Sequence, residues 1–464
     1  MVGGGITGLA AAWNLTNAPG AARVVLLEGS GQVGGKLALG DVDGVGVDLG
    51  AESLLARRPE AVRLAQQVGL GDDLVHPRAV GAGLWSRGML RPLPAGTLMG
   101  VPSSAAGLGG LLTDAEVAPV SAEPDGRWPA LRDDVDVSSF LRERVGAGVV
   151  DRLVEPLLGG VYAGRADELS LQATVPALWA AAVEGGSVVV AAAAAARAGL
   201  ATHAPAFVGI RGGVGRLPLA VADRLRERGV ELLTDALVRS LRRTPDGWRL
   251  VFGPTTSEQA IDVQAVVLAS PAAPTSRLLR DELPYAATLL AGVEYAGMAI
   301  VTLVLPRASA GALPGSGLLV PPVEGRFVKA ATHSSAKWAW LDESDPEQVV
   351  ARTSVGRYGE QGDLQLDDHD LAARAVADLA DLLAAPLPVR AVRVTRWGGG
   401  LPQYQVGHVR RVNAARAALQ GAPGLVLAGA AYDGVGVPAC IASATKAAQE
   451  IQTHLEVLGH GGAG

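Results

Sequence analysis

The chain has 464 residues, 49% of them hydrophobic and 19% charged, so it can bury a sizeable core and does not have the composition of a disordered protein. Its formal net charge of −6 argues against nucleic acid as the main partner. The single cysteine, Cys440, excludes an internal disulfide framework, and the length favours two to three domains.

The first elements of the chain form a nucleotide-binding pattern. Gly3, Gly5 and Gly8 give GxGxxG, an apolar-periodic helix follows as far as Leu15, and a short apolar strand then ends at Glu28. Such glycines let the backbone approach a pyrophosphate at a helix N-terminus, and an acid about 20 residues further on binds ribose hydroxyls. We therefore predict a dinucleotide site at the start of the chain.

Only Met1 and Val2 precede these glycines, whereas the first strand of such a fold needs about five residues. We expect the natural protein to begin several residues upstream. Because that strand is normally central and buried on both faces, the present form should bind its cofactor more weakly than an extended form.

The later elements alternate between helices and strands. Residues 59–70, 136–145, 148–158 and 371–383 are predicted helices, and residues 230–233, 263–269 and 424–429 are predicted buried strands. Residues 238–243 and 247–252 alternate like an antiparallel ribbon, whereas the polar stretch 115–135 is predicted to be a surface loop. The longest apolar run, 188–196, is too short to span a membrane, and no signal peptide is evident.

Two domains are predicted from this order. Residues 1–76, 205–275 and 390–464 would build the nucleotide-binding domain, and residues 77–204 and 276–389 would form a second domain over the cofactor. After Glu28, the step Gly34-Gly35-Lys36 adds a second glycine turn with a cation, a combination that favours FAD over NAD.

Several blocks of the chain resemble the FAD-dependent protoporphyrinogen/coproporphyrinogen oxidases, within the flavin amine oxidase superfamily. Besides the opening glycines, the resemblance rests on residues 49–53, 153–164, 169–170, 212–217, 401–408 and 429–441. The Glu-Pro-Leu-Leu block at 155–158 and the Pro-Gln-Tyr block at 402–404 are the most specific. The resemblance implies an α/β fold, with a Rossmann-like FAD-binding domain and an inserted mixed α+β substrate domain.

The resemblance also implies which residues hold FAD. The cofactor-binding positions would be Gly3, Gly4, Gly5, Ile6, Thr7, Gly8, Glu28, Gly29, Gly35, Lys36, Gly50, Ala51, Glu52, Ser53, Val238, Trp397, Gly434, Val435, Gly436 and Val437. A helix beginning near Val437 has a physical reason to face the flavin, because its N-terminus favours the negative charge of reduced flavin.

The implied reaction is the six-electron oxidation of a porphyrinogen of haem biosynthesis, with O2 as acceptor and H2O2 as product. Coproporphyrinogen III is the favoured substrate, as in the bacterial members of the family. The alternatives are protoporphyrinogen IX as the substrate and a non-catalytic flavin- or porphyrin-binding protein. A chelatase is the implied partner for product transfer, and the expected location is the cytoplasm, with peripheral membrane contact left open.

Substrate carboxylates need local cations in this acidic protein. Arg57 and Arg58 are the candidates for that role, and Tyr162 is a candidate wall of the pocket, although a solvated helix start and a core position are the respective alternatives. No proton acceptor is identified beyond His408, for which a structural role is the stronger reading. The histidines show no metal-binding spacing, so no metal is expected.

Overall fold

A computed structural model gives the fold of residues 1–17, 22–201 and 205–461. The strands in chain order are β1 Val25–Leu27, β2 Leu39–Val42, β3 Val45–Asp48, β4 Leu54–Leu55, β5 Leu74–Val75, β6 Gly83–Ser86, β7 Met89–Pro92, β8 Thr97–Leu98, β9 Val101–Pro102, β10 Phe207–Ile210, β11 Glu231–Leu233, β12 Val238–Thr244, β13 Gly247–Phe252, β14 Gln259–Val263, β15 Val266–Leu268, β16 Tyr295–Pro306, β17 Gly317–Leu319, β18 Val328–Thr332, β19 Gln348–Val355, β20 Ala391–Pro402 and β21 Leu425–Leu427.

Helices cover the faces of the sheets and form a separate cluster between residues 114 and 201. They are α1 Ile6–Asn17, α2 Pro59–Gln67, α3 Asp114–Ala122, α4 Val137–Val145, α5 Ala147–Val149, α6 Glu155–Tyr162, α7 Leu171–Thr174, α8 Pro176–Val183, α9 Val188–Ala201, α10 Arg216–Glu227, α11 Ala272–Leu279, α12 Pro284–Ala291, α13 Ser334–Lys337, α14 Ala339–Ser344, α15 Asp368–Leu382, α16 His408–Leu419 and α17 Val437–Gly461. Among the described residues, no helix is long and apolar enough to cross a membrane.

A parallel sheet forms the predicted nucleotide-binding unit. β1 pairs with β11 and β15 pairs with β21, while Val2 bridges Leu27 on one side and Leu268 on the other. Val2 thus stands where the central strand of a Rossmann-like sheet runs. The helices α1, α2, α10 and α17 share one buried apolar cluster beside this sheet, which confirms the predicted α/β class.

A second, seven-stranded sheet carries the other half of the molecule. Its order is β20-β16-β19-β18-β17-β6-β7, and α15 buries its apolar side against it. β20 belongs to this sheet through a long antiparallel pairing with β16. The predicted domain boundary at residue 390 therefore places β20 and its partner β16 in different domains. A boundary after Pro402 would keep the two strands together.

The helical cluster corrects one prediction. Residues 114–122 form α3 instead of a surface loop, with a capping box between Thr113 and Glu116 and with Pro119 inside the helix. Glu123, directly after α3, is buried and accepts hydrogen bonds from the Arg144 guanidinium and from the start of α9. The polar composition of this stretch did not indicate that Glu123 would be buried.

The predicted helix 148–158 is also modified. A π-helical turn, Val150–Val154, precedes α6, so the helical stretch is continuous but wider at this point. The remaining predicted elements are present, including the ribbon of β12 and β13 and the helix α15, whose N-cap Asp367 accepts a hydrogen bond from the Asp370 amide.

Candidate active site

The opening glycines pack as a dinucleotide-binding turn. Gly3 has φ +107°, and a Cβ at this position would lie 2.9 Å from the Ala269 carbonyl oxygen. A Cβ at Gly8 would lie 1.9 Å from the Gly3 carbonyl oxygen. A Cβ at Gly5, by contrast, would meet no atom within 4 Å, so Gly5 faces open space at the start of α1. This is the cradle that a pyrophosphate requires at a helix N-terminus.

Glu28 lies directly beside this turn. Its carboxylate accepts hydrogen bonds from the Gly4 amide at 2.6 Å and from the Ser30 amide at 2.8 Å. The Glu28 carbonyl accepts from the Ala236 amide, two residues before Val238 begins β12. The structure therefore brings together three of the segments predicted to bind the adenosine half of FAD.

The second glycine turn joins the first. The Gly34 amide donates to the Gly4 carbonyl at 2.8 Å, and Lys36 extends to within 6.0 Å of the Tyr295 ring centre. The Lys36 side chain is exposed, yet desolvation lowers its pKa, which is the behaviour of a cation on the wall of a concave cleft. No carboxylate of the described residues forms an ion pair with it, so the cation is available to an anionic group.

The predicted flavin turn at 434–437 lies at the start of α17, against α1. The Thr7 hydroxyl oxygen lies 3.4 Å from the position of a Cβ at Gly429, and the Asn14 side chain bonds Thr445 across the two helices. Asp433, the residue before this turn, is fixed by hydrogen bonds that it accepts from Arg416 at 2.6 Å and from the Ser443 hydroxyl. Both helix N-termini therefore lie close together at one end of the parallel sheet.

The predicted segment 50–53 is fixed by residues far away in the chain. We call the set formed by Glu52, Ser334, Lys337, Trp338 and Arg352 the Glu52 cluster. One carboxylate oxygen of Glu52 accepts from Lys337 at 2.8 Å and from Trp338 at 3.2 Å, and the other accepts from Ser334 and Arg352, each at 3.0 Å.

These contacts set the charge of Glu52. Burial alone would raise the pKa of this carboxyl group, but Lys337 and Arg352 outweigh burial and lower it to about 2. Arg352 also donates to the Gly50 carbonyl at 2.6 Å, and Lys337 donates to the Ser53 hydroxyl at 2.7 Å. The side chains of Glu52 and Ser53 are thus committed to protein partners, which leaves the backbone and the exposed Ala51 for contact with a cofactor.

Trp397 closes the same region from β20. Its indole N–H donates to the Leu49 carbonyl at 3.1 Å, and its ring lies 3.4 Å from the position of a Cβ at Gly50. The second sheet therefore contacts segment 49–53, which is predicted to border FAD, through both Trp397 and Arg352.

Tyr162 and His408 meet at Tyr404. The Tyr162 ring centre lies 5.7 Å from that of Tyr404, which in turn stacks on His408 at 4.1 Å and donates its hydroxyl hydrogen to the Ala430 carbonyl. His408 is buried, and burial lowers its pKa to about 4, so the ring is neutral at pH 7. This placement makes His408 a support for Tyr404.

The two candidate arginines have different surroundings. Arg58 is exposed and pairs with Glu60 at 2.6 Å in the first turn of α2, as a solvated helix start would. The Arg57 guanidinium lies against α9, where a Cβ at Gly199 would be 2.6 Å from it. Neither arginine makes a hydrogen bond to the segments grouped around Glu28, Lys36 or Trp397 in the described part of the chain.

Sequence reasoning missed the partners of Glu52 and a second group of buried cations. Arg352, Lys329 and Arg357 are all buried, at 7%, 6% and 7% exposure. Lys329 within the apolar strand β18 and Arg352 within β19 were the available signal, but Arg352 pairs with Glu52, 300 positions away, and Lys329 has no hydrogen-bond partner among the described residues. Among the described residues, no group of three or more potential ligands could hold a metal ion.

The residues fit FAD in chemistry and in shape. The open space at Gly5 suits a pyrophosphate, the Glu28 carboxylate suits a ribose, and Lys36 supplies a cation that no described carboxylate neutralises. These positions would hold the adenine dinucleotide half, and the turn before α17 would receive the flavin half.

Comparison with known proteins identifies the family of the chain. The model of the flavin containing amine oxidoreductase family matches residues 6–452. A protein named coproporphyrinogen III oxidase from Mycobacterium leprae is 36% identical, with 98% of each chain covered. The Bacillus subtilis protein of the same name is 30% identical over 98% of each chain.

A solved structure, described as a putative protoporphyrinogen oxidase from Exiguobacterium, is 31% identical with a TM-score of 0.83 over 98% of each chain. Putrescine oxidase shares the fold at 17% identity, with a TM-score of 0.71 over 97% of this chain and 98% of that one. The glycine turns, Glu28 and the final helix remain the predicted cofactor site, and the chain is an FAD enzyme that belongs to the flavin-containing amine oxidoreductase family.

Proposed function

We propose that this protein oxidises coproporphyrinogen III to coproporphyrin III in haem biosynthesis. The reaction removes six electrons in three two-electron steps, and O2 receives them as H2O2. The observation that carries the proposal is the similarity to the Mycobacterium leprae coproporphyrinogen III oxidase, which extends over 98% of both chains. FAD, when bound, supplies the hydride acceptor.

The chain's own residues would bind and orient the cofactor. The backbone of residues 3–8 and the N-terminus of α1 would hold the pyrophosphate, Glu28 the ribose, and Lys36 the phosphate side. The N-terminus of α17 favours the negative charge that accumulates on reduced flavin. The Val238 backbone would contact the adenine, and Trp397, with residues 50–53, would border the flavin.

The substrate pocket is proposed to lie beside Tyr162, between α6 and the second sheet. Tyr162 is buried at the end of α6, and burial raises the pKa of its hydroxyl to about 12, so it remains a neutral wall. His408 is stacked under Tyr404, and we therefore assign it to positioning that ring and not to proton transfer.

Protoporphyrinogen IX is the second candidate substrate. The rice chloroplast relative, at 29% identity, and the Exiguobacterium structure both carry the name of an oxidase of protoporphyrinogen. The two substrates differ in the number of carboxylates, four in coproporphyrinogen III and two in protoporphyrinogen IX. A site for the former therefore needs more cationic groups.

Porphyrin fluorescence provides the test. Purified protein loaded with FAD is mixed with each porphyrinogen in air, and porphyrin formation is compared with autoxidation in the absence of protein. We expect the larger acceleration with coproporphyrinogen III, three equivalents of H2O2 per porphyrin, and no turnover without O2. If the FAD-loaded protein accelerates the oxidation of neither porphyrinogen, the protein is a non-catalytic flavin- or porphyrin-binding protein. If it oxidises protoporphyrinogen IX faster, protoporphyrinogen IX becomes the first candidate substrate.

We further propose a cytoplasmic enzyme that passes its product to a chelatase. An increase in porphyrin transfer on mixing with a purified chelatase, measured against free diffusion of the porphyrin, would support the contact. Sedimentation with anionic lipid vesicles would decide whether the enzyme binds a membrane surface.

A further inference from the structure

Two buried cationic residues, Lys329 and Arg357, contact the same residue, Val320, where β17, β18 and the end of β19 meet. Lys329 is in β18, and its carbonyl accepts a hydrogen bond from the Val320 amide at 2.9 Å. Arg357, two residues beyond β19, donates to the Val320 carbonyl at 3.1 Å. Both residues therefore flank the same residue of the chain. We call them the Lys329–Arg357 pair.

The Lys329–Arg357 pair lacks a full negative counter-charge among the described residues. The Lys329 ammonium is buried and has no hydrogen-bond partner among the residues that the structure describes. Arg357 meets the Glu360 carboxylate at 3.5 Å, and the Glu360 side chain is 47% exposed. Proteins rarely leave a buried charge unpaired, because the desolvation cost is several kcal/mol.

Electrostatics point the same way. Burial and, to a smaller extent, Arg357 lower the pKa of Lys329 to about 7, and Glu360 opposes the shift. Burial also lowers the pKa of Arg357, against the attraction of Glu360 and Glu155. Each cation is thus held at a cost, and an additional carboxylate beside the pair would relieve it.

Contacts connect the pair to the proposed substrate pocket. The Tyr358 amide, next to Arg357, donates to the Ala163 carbonyl at 2.7 Å, directly after Tyr162. Tyr162 in turn contacts Tyr404, which bonds the Ala430 carbonyl before the flavin turn. Gln405 also donates to the Tyr358 hydroxyl at 3.3 Å. Arg357 is therefore followed directly by a residue that contacts both sequence blocks bordering the proposed pocket.

We propose that the Lys329–Arg357 pair is a carboxylate subsite for a propionate group of the substrate, and that Glu360 is the internal anion which the propionate displaces. The inference rests on the proposed function. Glu360 suits this role because it is half exposed, contacts Arg357 at a long distance, and follows Gly359, which has φ +81°. The subsite favours a substrate with carboxylates over a neutral tetrapyrrole.

The test uses the FAD-loaded protein and two stable probes, coproporphyrin III and its uncharged tetramethyl ester. Lys329→Met should raise the Kd for coproporphyrin III at least tenfold, and raise KM for coproporphyrinogen III while kcat stays within threefold. Binding of the ester should not change. Lys329→Arg should restore part of the affinity, because it restores the charge.

Lys446→Met is the matched control, since it removes an exposed lysine from α17 by the same change; it should behave like the unmodified protein. Glu360→Gln acts in the opposite direction. Removing the competing carboxylate should lower the Kd for coproporphyrin III severalfold, and because Glu360 is exposed this variant remains informative if Lys329→Met does not fold.

An unchanged Kd in both Lys329→Met and Glu360→Gln would overturn the subsite, as would equal losses for the charged probe and the ester. These failures differ from failure of the proposed function. If the unmodified protein oxidises neither porphyrinogen, the function is wrong; if it oxidises coproporphyrinogen III and Lys329→Met leaves KM unchanged, only the subsite is wrong.

Discussion

The two buried charge groups on the second sheet differ in one respect. In the Glu52 cluster, one carboxylate receives four hydrogen bonds, two of them from cations. In the Lys329–Arg357 pair, Arg357 meets the half-exposed Glu360 carboxylate at 3.5 Å, and the Lys329 ammonium has no hydrogen-bond partner among the described residues. The first group is complete within the protein, whereas the second has capacity for another anion.

This difference separates a structural role from a binding role. A buried ion pair that has all its hydrogen bonds holds chain segments in place and is costly to break. A buried cation without a full counter-charge destabilises the fold, and it is expected where the binding of an anionic ligand offsets the desolvation cost. Mutations in the two groups should therefore change stability in opposite directions.

Breaking the Glu52 cluster should have the largest effect. Arg352→Met leaves the buried Glu52 carboxylate with one cation and the Gly50 carbonyl without its donor, so we expect a loss of about 3–5 kcal/mol in the free energy of unfolding. Since segment 49–53 borders the predicted flavin site, FAD retention should fall as well. Urea unfolding and the flavin absorbance of the purified protein measure both.

Arg393→Met on β20, in the same sheet as Arg352, is the control, because Arg393 is exposed and makes one hydrogen bond to the Asp41 carbonyl. It should cost less than about 1 kcal/mol. Equal losses in the two variants would show that the Glu52 cluster has no special role.

Acidification should weaken the same cluster. The pKa of Glu52 is lowered from 4.5 to about 2 in the folded protein, so its contribution to stability is complete above pH 4.5 and disappears as the pH falls to about 2. The contribution amounts to roughly 3 kcal/mol. Urea unfolding between pH 6 and 3 should show this slope in the unmodified protein and a shallower one in Glu52→Gln; parallel slopes would contradict the assignment.

Lys329→Met should stabilise the protein, by about 1–2 kcal/mol, because an apolar side chain of similar length replaces an unpaired buried cation. The gain should be largest below pH 7 and should shrink as the pH rises towards 10.5, the usual pKa of lysine, since the folded protein loses the Lys329 charge before the unfolded chain does. Thermal unfolding at pH 6.5 and 9.5 measures it. A destabilised Lys329→Met variant would place this residue with the Glu52 cluster as a structural cation.

The smallest effect is expected at Arg58. Its pair with Glu60 is solvent-exposed, so Arg58→Ala should change stability by less than about 1 kcal/mol. The same variant tests whether Arg58 binds substrate. A severalfold rise in the KM for coproporphyrinogen III would indicate that Arg58 binds substrate. An unchanged KM would indicate that Arg58 is only a solvated residue at the start of α2.

The parts of the site that sequence reasoning could predict are those encoded locally. GxGxxG, its helix and Glu28 lie within 26 positions, and the observed bond between the Gly4 amide and Glu28 follows from that spacing. The partners of Glu52 lie 282 to 300 positions away. Their meeting depends on how β19 and α13 pack against segment 49–53, which periodicity does not encode.

The sequence also did not predict which charged residues are buried. Glu123 occurs in a polar stretch that predicts a loop, yet a single ion pair with Arg144 draws it into the helical cluster. Lys329 occupies a short strand whose register also had to be known before its isolation could be recognised. Composition predicts which segments enter a core, but it does not show which charges enter with them.

The contact between α1 and α17 has a consequence for biosynthesis. The Asn14–Thr445 hydrogen bond joins positions 431 residues apart, and the cofactor platform needs both helices. A nascent chain that has emerged only as far as β21 therefore lacks one wall of the platform, so FAD loading should follow the emergence and docking of α17. Until then the partner surface of the first helix is open to chaperones.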